Sequence, residues 1–492
     1  MTGIRRALLF TSAERYLNLA VNFGLIAVVS RLLSPAEIGV AAFGVTIWAL
    51  AETFRDVPSS YLVQQEDLSK TDVRTAFTVM FLISVALAAA LILAAGWIAT
   101  QYNDPKLAPY LQVFALALLP GPFERPIMAL FRRNFSFGKF ALINVTTVLV
   151  NAVVTIGLVT LGFSYMSFAW AALAGALSAA ALALYLRRDF WMFSPHLGHW
   201  RRALRFGAYS SGFALLNQLS ELLPYLVLSR FFRFEAVGFY NRALLVSQIP
   251  NKLLLSGLGP VVLPVLAAKA RLGRDLKAPF LLGVSYISAV HWPAFVLLAL
   301  LAHPAVEILV GSQWFSIVPL VQIMAVATLF TFCGILNYPA LMAVGALRDL
   351  LLSSLIAMPV VVIINGVAAT FGLMPLALSL LVTLPLQSIV ALCFVRRHVQ
   401  FSWSEFAAAT VKSLVITAFS AALPAAQIFL AGMRFEMSIP RGIVLGCLAI
   451  LGWLAGVWLT RHPLRDELLM LFGALRGARG ARKPPLPAET RT

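Results

Sequence analysis

Four segments of this 492-residue chain place charged and amide side chains inside long apolar runs. They hold Glu14, Arg15, Asn18 and Asn22; Trp48, Glu52, Arg55, Asp56 and Ser59; Asn217, Gln218, Glu221 and Tyr225; and Asn241, Arg242, Gln248, Asn251 and Lys252. Steps of three and four residues align most members of a segment on one helical face. Because an ionised side chain costs about 2.5–3.5 kcal/mol at the centre of a bilayer, we expect these faces to meet protein or a water-filled cavity.

The positive side chains in these segments have the chemistry to bind a negatively charged headgroup. An arginine fork stays charged in a dry site and donates two parallel hydrogen bonds to a phosphate. Arg242 and Lys252 share their apolar run with no acid, and Glu221 of the preceding run is the carboxylate within reach. We therefore predict a substrate-binding cavity that contains Arg15, Asn18, Arg55, Asn217, Glu221, Arg242, Asn251 and Lys252.

Ion pairing is an alternative explanation for some of these charges. Glu52 lies three residues before Arg55, which is close enough on a helix for mutual neutralisation, and Asp56 follows directly. In LLPGPFERPIM (118–128) three prolines disrupt the helix, and the neighbours Glu124 and Arg125 predict a local ion pair rather than a ligand site.

The elements that position these residues follow from composition. Hydrophobic residues make up 60% of the chain and charged residues only 12%. Apolar runs of about 20 residues, the length that crosses a bilayer as a helix, recur from end to end. We predict an all-α integral membrane protein with about fourteen transmembrane helices. The predicted spans are 8–31, 38–63, 75–99, 108–131, 140–161, 164–186, 206–229, 237–266, 280–302, 315–336, 350–371, 374–395, 408–430 and 441–460.

The formal net charge of +18 fits a membrane topology better than a nucleic-acid partner. Lys and Arg residues gather on alternate connections, which predicts cytoplasmic N- and C-termini. The start, MTGIRRALLF, resembles a signal-peptide n-region, but Glu14 and Arg15 interrupt the next run, so we predict an uncleaved first span. The cysteines lie singly and the histidines form no ligand pair at helical spacing, so no metal or cofactor is predicted.

A ten-residue phrase occurs twice, as SRLLSPAEIG at 30–39 and as SRFFRFEAVG at 229–238. At the same offset of 199 residues, Asn18 matches Asn217. We predict a parallel repeat of two six-helix lobes around a central cavity, plus two extra C-terminal helices. The predicted divisions are an N-terminal lobe with a cytoplasmic linker (1–200), a C-terminal lobe (201–400), two additional transmembrane helices (401–460) and a basic cytoplasmic tail (461–492).

This two-lobed plan, with the stretches SRLLSPAEIGVAAFG and SRFFRFEAVGFYNRA, resembles the Wzx-type polysaccharide transporters of the multidrug/oligosaccharidyl-lipid/polysaccharide exporter superfamily. The resemblance implies a transporter rather than an enzyme. Its substrate would be an undecaprenyl-pyrophosphate-linked oligosaccharide repeat unit, flipped across the bacterial inner membrane by alternating access for exopolysaccharide, capsule or O-antigen biosynthesis.

The resemblance also carries implications for residues and partners. Arginines on helices 1, 2 and 8 line the cavity of the related lipid II flippase, and Arg15, Arg55 and Arg242 occupy similar helices here. The implied partners are the lipid-linked oligosaccharide and membrane lipids. Coupling to H⁺ or Na⁺, with Glu221 as the candidate carboxylate, and contacts with a polysaccharide polymerase and co-polymerase stay open.

Two other functions also stay open. A multidrug or cation antiporter of the same superfamily would need acidic cavity residues, whereas the four polar segments hold acids and bases in equal number. A membrane polysaccharide polymerase or ligase would need a sizeable external loop, and the predicted external loops are short. Helix interruptions at Pro224, Pro250 and Gly257–Pro260 are candidate hinges or ordinary kinks of membrane helices.

Overall fold

The computed structural model describes residues 2–59, 62, 68–198, 200–254, 266, 268–270, 272 and 275–470, with side chains from Glu14 onward except at 202, 203, 205–211, 213 and 347. Every regular element in these ranges is helical. The α-helices are α1 (Thr2–Leu32), α2 (Pro35–Arg55), α3 (Lys70–Gln101), α4 (Leu107–Ala117), α5 (Gly121–Arg133), α6 (Phe137–Thr160), α7 (Met166–Leu186), α8 (Trp200–Ser247), α9 (Lys277–Leu300), α10 (Ala302–Leu309), α11 (Val318–Thr328), α12 (Gly334–Ala343), α13 (Leu347–Thr370), α14 (Leu373–Val399), α15 (Trp403–Leu430) and α16 (Ile439–Leu459). Short 3₁₀ helices occupy Phe190–Phe193, Ser312–Ile317 and Leu329–Thr331.

Ten helical segments in the described ranges are long and apolar enough to cross a membrane. The pair α4 and α5, bent by 43°, would make an eleventh. The other predicted spans fall on α1 and on the two halves of α8, which hold three of the polar segments, and partly on residues outside the described ranges. The prediction of an all-α multi-pass membrane protein is confirmed, and the number fourteen stays a prediction.

The helices break at equivalent positions in the two copies of the repeated phrase. In the first copy, Ser34 is extended, with φ −71° and ψ 160°, and its hydroxyl accepts a hydrogen bond from the Glu37 amide. The Glu37 carboxylate accepts one from the Ser34 amide in return, a capping box that begins α2. In the second copy, 199 residues later, Arg233 interrupts α8 with φ 66° and ψ 174°. The predicted turn between the first two helices is thus present in both copies.

The two copies pack against each other through their glycines. A Cβ atom at Gly39 would overlap the carbonyl oxygen of Phe234, and one at Gly238 would overlap the carbonyl oxygen of Pro35. The 199-residue offset relates Gly39 to Gly238 and Pro35 to Phe234, so the contact is reciprocal, as a parallel repeat about a two-fold axis requires. We call this contact the glycine crossing. It joins α2 to the second half of α8, and only glycine permits backbones this close.

Hydrogen bonds beside the glycine crossing also connect the first copy to later helices. Arg31 donates to the carbonyl oxygens of Glu307 and Ile308 at 3.2 and 2.8 Å, near the end of α10. The indole N–H of Trp314 donates to the carbonyl oxygen of Ser30 at 2.8 Å. Because the last carbonyls of a helix lack partners within it, Arg31 stabilises the end of α10.

Hydrophobic packing divides in a way that supports two lobes. One buried cluster lies within residues 62–192, a second lies within 266–401, and the largest combines side chains from both parts of the chain. The exact divisions at residues 200, 400 and 460 stay predictions.

The helices α15 and α16 pack as a pair against α9. Ser288 and Ser413 share a hydrogen bond of 2.8 Å, and Trp453 donates its indole N–H to the carbonyl oxygen of Ala289 at 2.7 Å. His462, just after α16, bonds Ser285 at 2.9 Å.

Of the hinge candidates, Pro224 lies inside α8, and α8 ends at Ser247, three residues before Pro250. The candidate hinge at 257–260 and the tail from 471 onward lie outside the described residues.

Candidate functional site

A cavity of 580 Å³ lies next to the glycine crossing, between α1, α2, α4, α6, α7, the second half of α8 and the following helical stretch 249–254. Ile38 and Ala41, which flank Gly39, form its wall on the crossing side. The polar and aromatic lining residues are Asn22, Phe23, Trp48, Phe114, Asn151, Phe168, Asn241, Arg242 and Lys252. The described lining includes no Asp or Glu, so this cavity is electropositive.

Arg242 is a buried cation in the cavity wall, with 4% of its surface exposed. Its polar contacts in the described structure are the Asn241 amide oxygen at 3.4 Å and the ring of Trp314, whose centroid lies 5.9 Å from the guanidinium carbon. Its Nε is buried without an acceptor. Asn241 is held by a hydrogen bond of 3.0 Å to the hydroxyl of Tyr225. Burying a charge without a counter-charge is costly, so this guanidinium favours an anionic ligand.

Lys252 lines the same cavity and is exposed to it. Glu221, on the first half of α8, attracts Lys252 electrostatically, but the two make no ion pair in the described structure and Glu221 is not part of the cavity lining. The structure therefore brings Arg242 and Lys252 together in one cavity. Their role in binding a substrate stays a prediction.

The polar face of α1 contributes one lining residue, Asn22, rather than the two that were predicted to bind substrate. Arg15 is exposed and lies outside the cavity lining. Asn18 is half-buried; its carbonyl oxygen accepts a hydrogen bond of 2.7 Å from Asn22, and its own Oδ1 is buried without a partner. Glu14 accepts a hydrogen bond of 2.7 Å from Asn144 of α6.

Arg55 lies away from the cavity in a network of ion pairs. It is 1% exposed and pairs with Glu52 at 2.7 Å and with Asp56 at 3.1 Å. Arg125 bonds the same carboxylates at 3.6 and 3.3 Å and also pairs with Glu124 at 3.9 Å. The structure thus shows the ion pairing that the spacing offered as an alternative, and we leave Arg55 out of the candidate site.

The remaining two predicted residues lie outside the cavity lining. Asn217 is half-buried on α8. The Asn251 NH₂ donates to Gln248 at 3.1 Å, and its Oδ1 accepts a hydrogen bond of the same length from Nε2 of the buried His291 on α9. Asn251 therefore joins α9 to the stretch that carries Lys252 and holds that stretch in place.

Sequence reasoning missed Phe114, Asn151 and Phe168, which complete the cavity. The four polar segments all contain charged residues, whereas Asn151 lies on α6, in a predicted span (140–161) that has none. An amide in an apolar membrane helix is itself a signal, because an unpaired amide is costly in hydrocarbon. The two phenylalanines carry no such signal, since aromatic residues are common throughout these spans.

A metal centre has no support in the described residues, where no three His, Cys, Asp or Glu side chains are grouped as ligands. The chemistry available at the cavity is therefore that of two cations, three amides and several aromatic rings.

Known proteins resemble this chain in sequence. The lipopolysaccharide biosynthesis protein WzxC of Escherichia coli (strain K12) is 24% identical over 319 residues, which are 64% of this chain and 65% of WzxC. The succinoglycan biosynthesis transport protein ExoT of Rhizobium meliloti (strain 1021) is 25% identical over 310 residues, 62% of each chain. Both matches span less than two thirds of the relative's own length.

Solved structures resemble it in fold. The lipid II flippase MurJ in an inward closed conformation superposes with a TM-score of 0.72 at 13% identity, over 94% of this chain and 100% of that one. An inward-facing multidrug resistance MATE family transporter of the MOP superfamily gives a TM-score of 0.62 at 15% identity, over 78% of this chain and 98% of that one. At these identities the likeness shows the fold alone, which is the two-lobed fold of these transporters.

The family comparison covers the glycine crossing and most of the cavity. The family described as polysaccharide biosynthesis protein matches residues 28–319, which is more than half of the chain. That stretch includes Trp48, Asn151, Arg242 and Lys252, together with both copies of the repeated phrase. The chain therefore belongs to the polysaccharide biosynthesis protein family.

Proposed function

We propose that this protein moves an undecaprenyl-pyrophosphate-linked oligosaccharide from the inner to the outer leaflet of the bacterial inner membrane. One observation carries the proposal: Arg242 and Lys252 line a 580 Å³ cavity inside a membrane bundle, and the described lining contains no acid. A pyrophosphate offers several charged acceptor oxygens and so satisfies both cations, including the unpartnered Nε of Arg242.

The proposed movement is alternating access of the two lobes around this cavity. The glycine crossing and the Arg31 contacts hold the bundle together on one side of the cavity. A headgroup that leaves on that side must first separate α2 from the second half of α8. The polyprenyl tail stays in the surrounding lipid, which removes the cost of passing it through a polar cavity.

The proposed topology places both termini in the cytoplasm. It rests on the excess of Lys and Arg in alternate connections, and it assigns residues 1–200 and 201–400 to the two lobes, 401–460 to two additional helices and 461–492 to a cytoplasmic tail. A coupling ion and contacts with a polymerase and a co-polymerase belong to the same proposal.

A multidrug or cation antiporter is the competing function, because MATE transporters share the fold. Such a protein would need acidic groups to receive a cationic drug. The lining described here has the opposite polarity, with Arg242 and Lys252 and no Asp or Glu. Cavity charge therefore favours an anionic substrate.

The test follows the lipid-linked oligosaccharide in cells. In a strain that lacks this gene, we expect the oligosaccharide to stay inaccessible to membrane-impermeant periodate applied to spheroplasts. Wild-type protein should restore access. Arg242→Gln and Lys252→Gln should each lower the rate about 10- to 100-fold, because a hydrogen bond to a charged group is worth about 1.5–3 kcal/mol.

Arg188→Gln is the matched control, since Arg188 is exposed and outside the cavity. We expect it to restore access as well as wild type. A double variant, Arg242→Gln with Lys252→Gln, that flips oligosaccharide at the wild-type rate would refute the proposal. Loss of drug export with normal flipping in the strain that lacks the gene would point to the antiporter instead.

A further inference from the structure

The cavity has a second wall that the anion site does not use. Opposite in character to Arg242 and Lys252, this wall comes from five helices of the first half of the chain. Its members are uncharged: Asn22 on α1, Trp48 on α2, Phe114 on α4, Asn151 on α6 and Phe168 on α7. We call them the neutral wall. Because a phosphate needs only donors and positive charge, a wall of amides and rings suits a different part of a ligand.

Asn151 is a polar residue of α6 whose side chain has no partner in the described protein. Three of its polar neighbours on this helix are satisfied: Asn144 bonds Glu14 at 2.7 Å, and Thr147 and Thr155 donate to carbonyls one turn earlier at 2.8 and 2.7 Å. The Asn151 amide makes no side-chain hydrogen bond in the described structure and is half-buried at the cavity. An amide has both a donor and an acceptor to satisfy.

Trp48 adds a donor that is also unsatisfied. Its indole Nε1 is buried without an acceptor, although Trp48 lines the cavity. The indole packs against Phe114, with ring centroids 5.7 Å apart and an angle of 32° between the planes. Buried tryptophan N–H groups usually find a hydrogen-bond partner, so this one is expected to meet a ligand or a water molecule.

Sugar hydroxyls match these requirements and phosphate does not. A hydroxyl donates to the Asn151 carbonyl oxygen and accepts from its NH₂ or from the Trp48 N–H, whereas an ionised phosphate only accepts. The C–H faces of a sugar ring are apolar and fit beside the rings of Trp48, Phe114 and Phe168. A mostly apolar cavity with a few convergent polar groups is the usual form of a small-molecule site.

We infer that the neutral wall is a saccharide site, in which Asn151 and Trp48 recognise the sugar that directly follows the pyrophosphate. This inference rests on the proposed function, because the cations on the other wall must hold the pyrophosphate for the first sugar to reach Asn151 and Trp48. The cavity then binds two parts of one substrate. Arg242 and Lys252 bind the charged pyrophosphate, and the neutral wall binds the sugar.

Two lipid probes distinguish binding at the cationic wall from binding at the neutral wall. Purified full-length protein is titrated with undecaprenyl pyrophosphate and with undecaprenyl pyrophosphate that carries one hexose, and bound lipid is counted by native mass spectrometry. Wild type should bind the hexose-bearing lipid more tightly. Trp48→Phe, which removes the N–H but keeps a ring, and Asn151→Leu should each reduce that preference about 2- to 10-fold, the effect of one neutral hydrogen bond, with unchanged affinity for the bare lipid.

Two further variants keep the outcomes distinct. Trp170→Phe is the matched control, because Trp170 is exposed on α7 and outside the cavity lining. Arg242→Gln should weaken binding of both lipids equally and leave their ratio unchanged. An equal wild-type affinity for the two lipids, or a preference that survives both Trp48→Phe and Asn151→Leu, overturns the saccharide site. Unchanged binding of both lipids by Arg242→Gln would instead contradict the anion site and the proposed function.

Discussion

Two buried arginines of this protein have opposite electrostatic surroundings: Arg55 lies in a network of ion pairs, and Arg242 lines a cavity. Arg55 is 1% exposed and has two carboxylate partners, whereas Arg242 is 4% exposed and has none in the described structure. The sequence distinguishes them: Glu52 and Asp56 lie within one turn of Arg55, but the acid nearest to Arg242 is Glu235, seven residues earlier. Acid spacing along the helix is thus a usable guide to which cations are free for a ligand.

Replacing Arg55 should lower the stability of the protein, whereas replacing Arg242 should not. Arg55→Leu leaves Glu52 and Asp56 with only Arg125 nearby, and we expect it to lower the free energy of unfolding by about 3 kcal/mol, the low end for a broken buried ion pair because both acids are partly exposed. Arg242→Leu removes a buried charge that has no counter-charge, so stability should be unchanged or higher. Unfolding midpoints in detergent measure both. The opposite order, with Arg242→Leu the less stable, would show that Arg242 has a structural role.

Some residues of the candidate site could be predicted from the sequence and others could not. Arg242 and Lys252 are recognisable because an isolated charge in an apolar run is conspicuous. Asn151 was overlooked because no charged residue accompanies it in its span, unlike the amides of the four polar segments. Phe114 and Phe168 join the site only through the packing of α4 and α7 around the cavity, which no local pattern encodes.

At the scale of elements, the two C-terminal helices are attached to the second lobe by a histidine that must stay neutral. Nδ1 of His462 accepts the Leu464 amide at 3.2 Å, so Nε2 carries the proton in its bond with Ser285. Burial, and then the positive charge of Lys412 on α15, lower the pKa of His462 to about 4. A neutral imidazole therefore joins the end of α16 to α9.

Acid should loosen this attachment. An unfolded chain binds a proton at His462 near pH 6.5, whereas the folded protein does so only near pH 4, so stability falls as pH decreases through that window. We expect the unfolding midpoint of wild type to drop more between pH 7.5 and 5.0 than that of His462→Gln, which cannot titrate. Parallel pH curves for the two proteins would contradict the assignment.

The start of α2 was the most predictable element. Its Ser-Pro-Ala-Glu sequence is a capping box with proline in the first turn, and the structure has that geometry. The second copy lacks these residues, and its helix breaks at Arg233, whose positive φ the local sequence does not predict. Long-range packing at the glycine crossing, rather than local preference, keeps the second break in register with the first.

At the scale of the whole molecule, the glycine crossing is the contact that must change in the proposed alternating-access movement. Bulkier residues there should keep the lobes apart. We expect Gly39→Val with Gly238→Val to raise the labelling rate of Ala42→Cys, a cavity-lining position, by membrane-impermeant maleimide roughly tenfold. Overpacking typically costs about 1–3 kcal/mol, enough to shift a two-state balance by that factor.

The labelling is done in a background where Cys333, Cys393 and Cys447 are replaced by serine. Gly24→Val is the control, because a Cβ there would meet no atom within 4 Å. Labelling that is as slow in the double valine variant as in the control would show that the crossing does not limit access to the cavity.

The overall architecture was largely predictable, and the reason is physical. Composition and run length specify an all-α membrane bundle, and the repeated phrase indicates two related halves. The reciprocal contact of the phrases was beyond reach, because glycine pairs of this kind are visible only once both backbones are placed. The same holds for the neutral wall, which five separate helices assemble.

The reciprocity of the glycine crossing has an evolutionary consequence. A contact in which each partner uses the same residues is isologous, the kind that forms between identical subunits of a symmetric dimer. Two separate six-helix chains could have met in this way before a fusion made the contact intramolecular. After such a fusion each copy would be free to diverge. At the 199-residue offset, Arg242 and Lys252 correspond to Phe43 and Thr53. The cationic wall therefore belongs to one copy alone, on a scaffold whose two copies still share the reciprocal contact at Gly39 and Gly238.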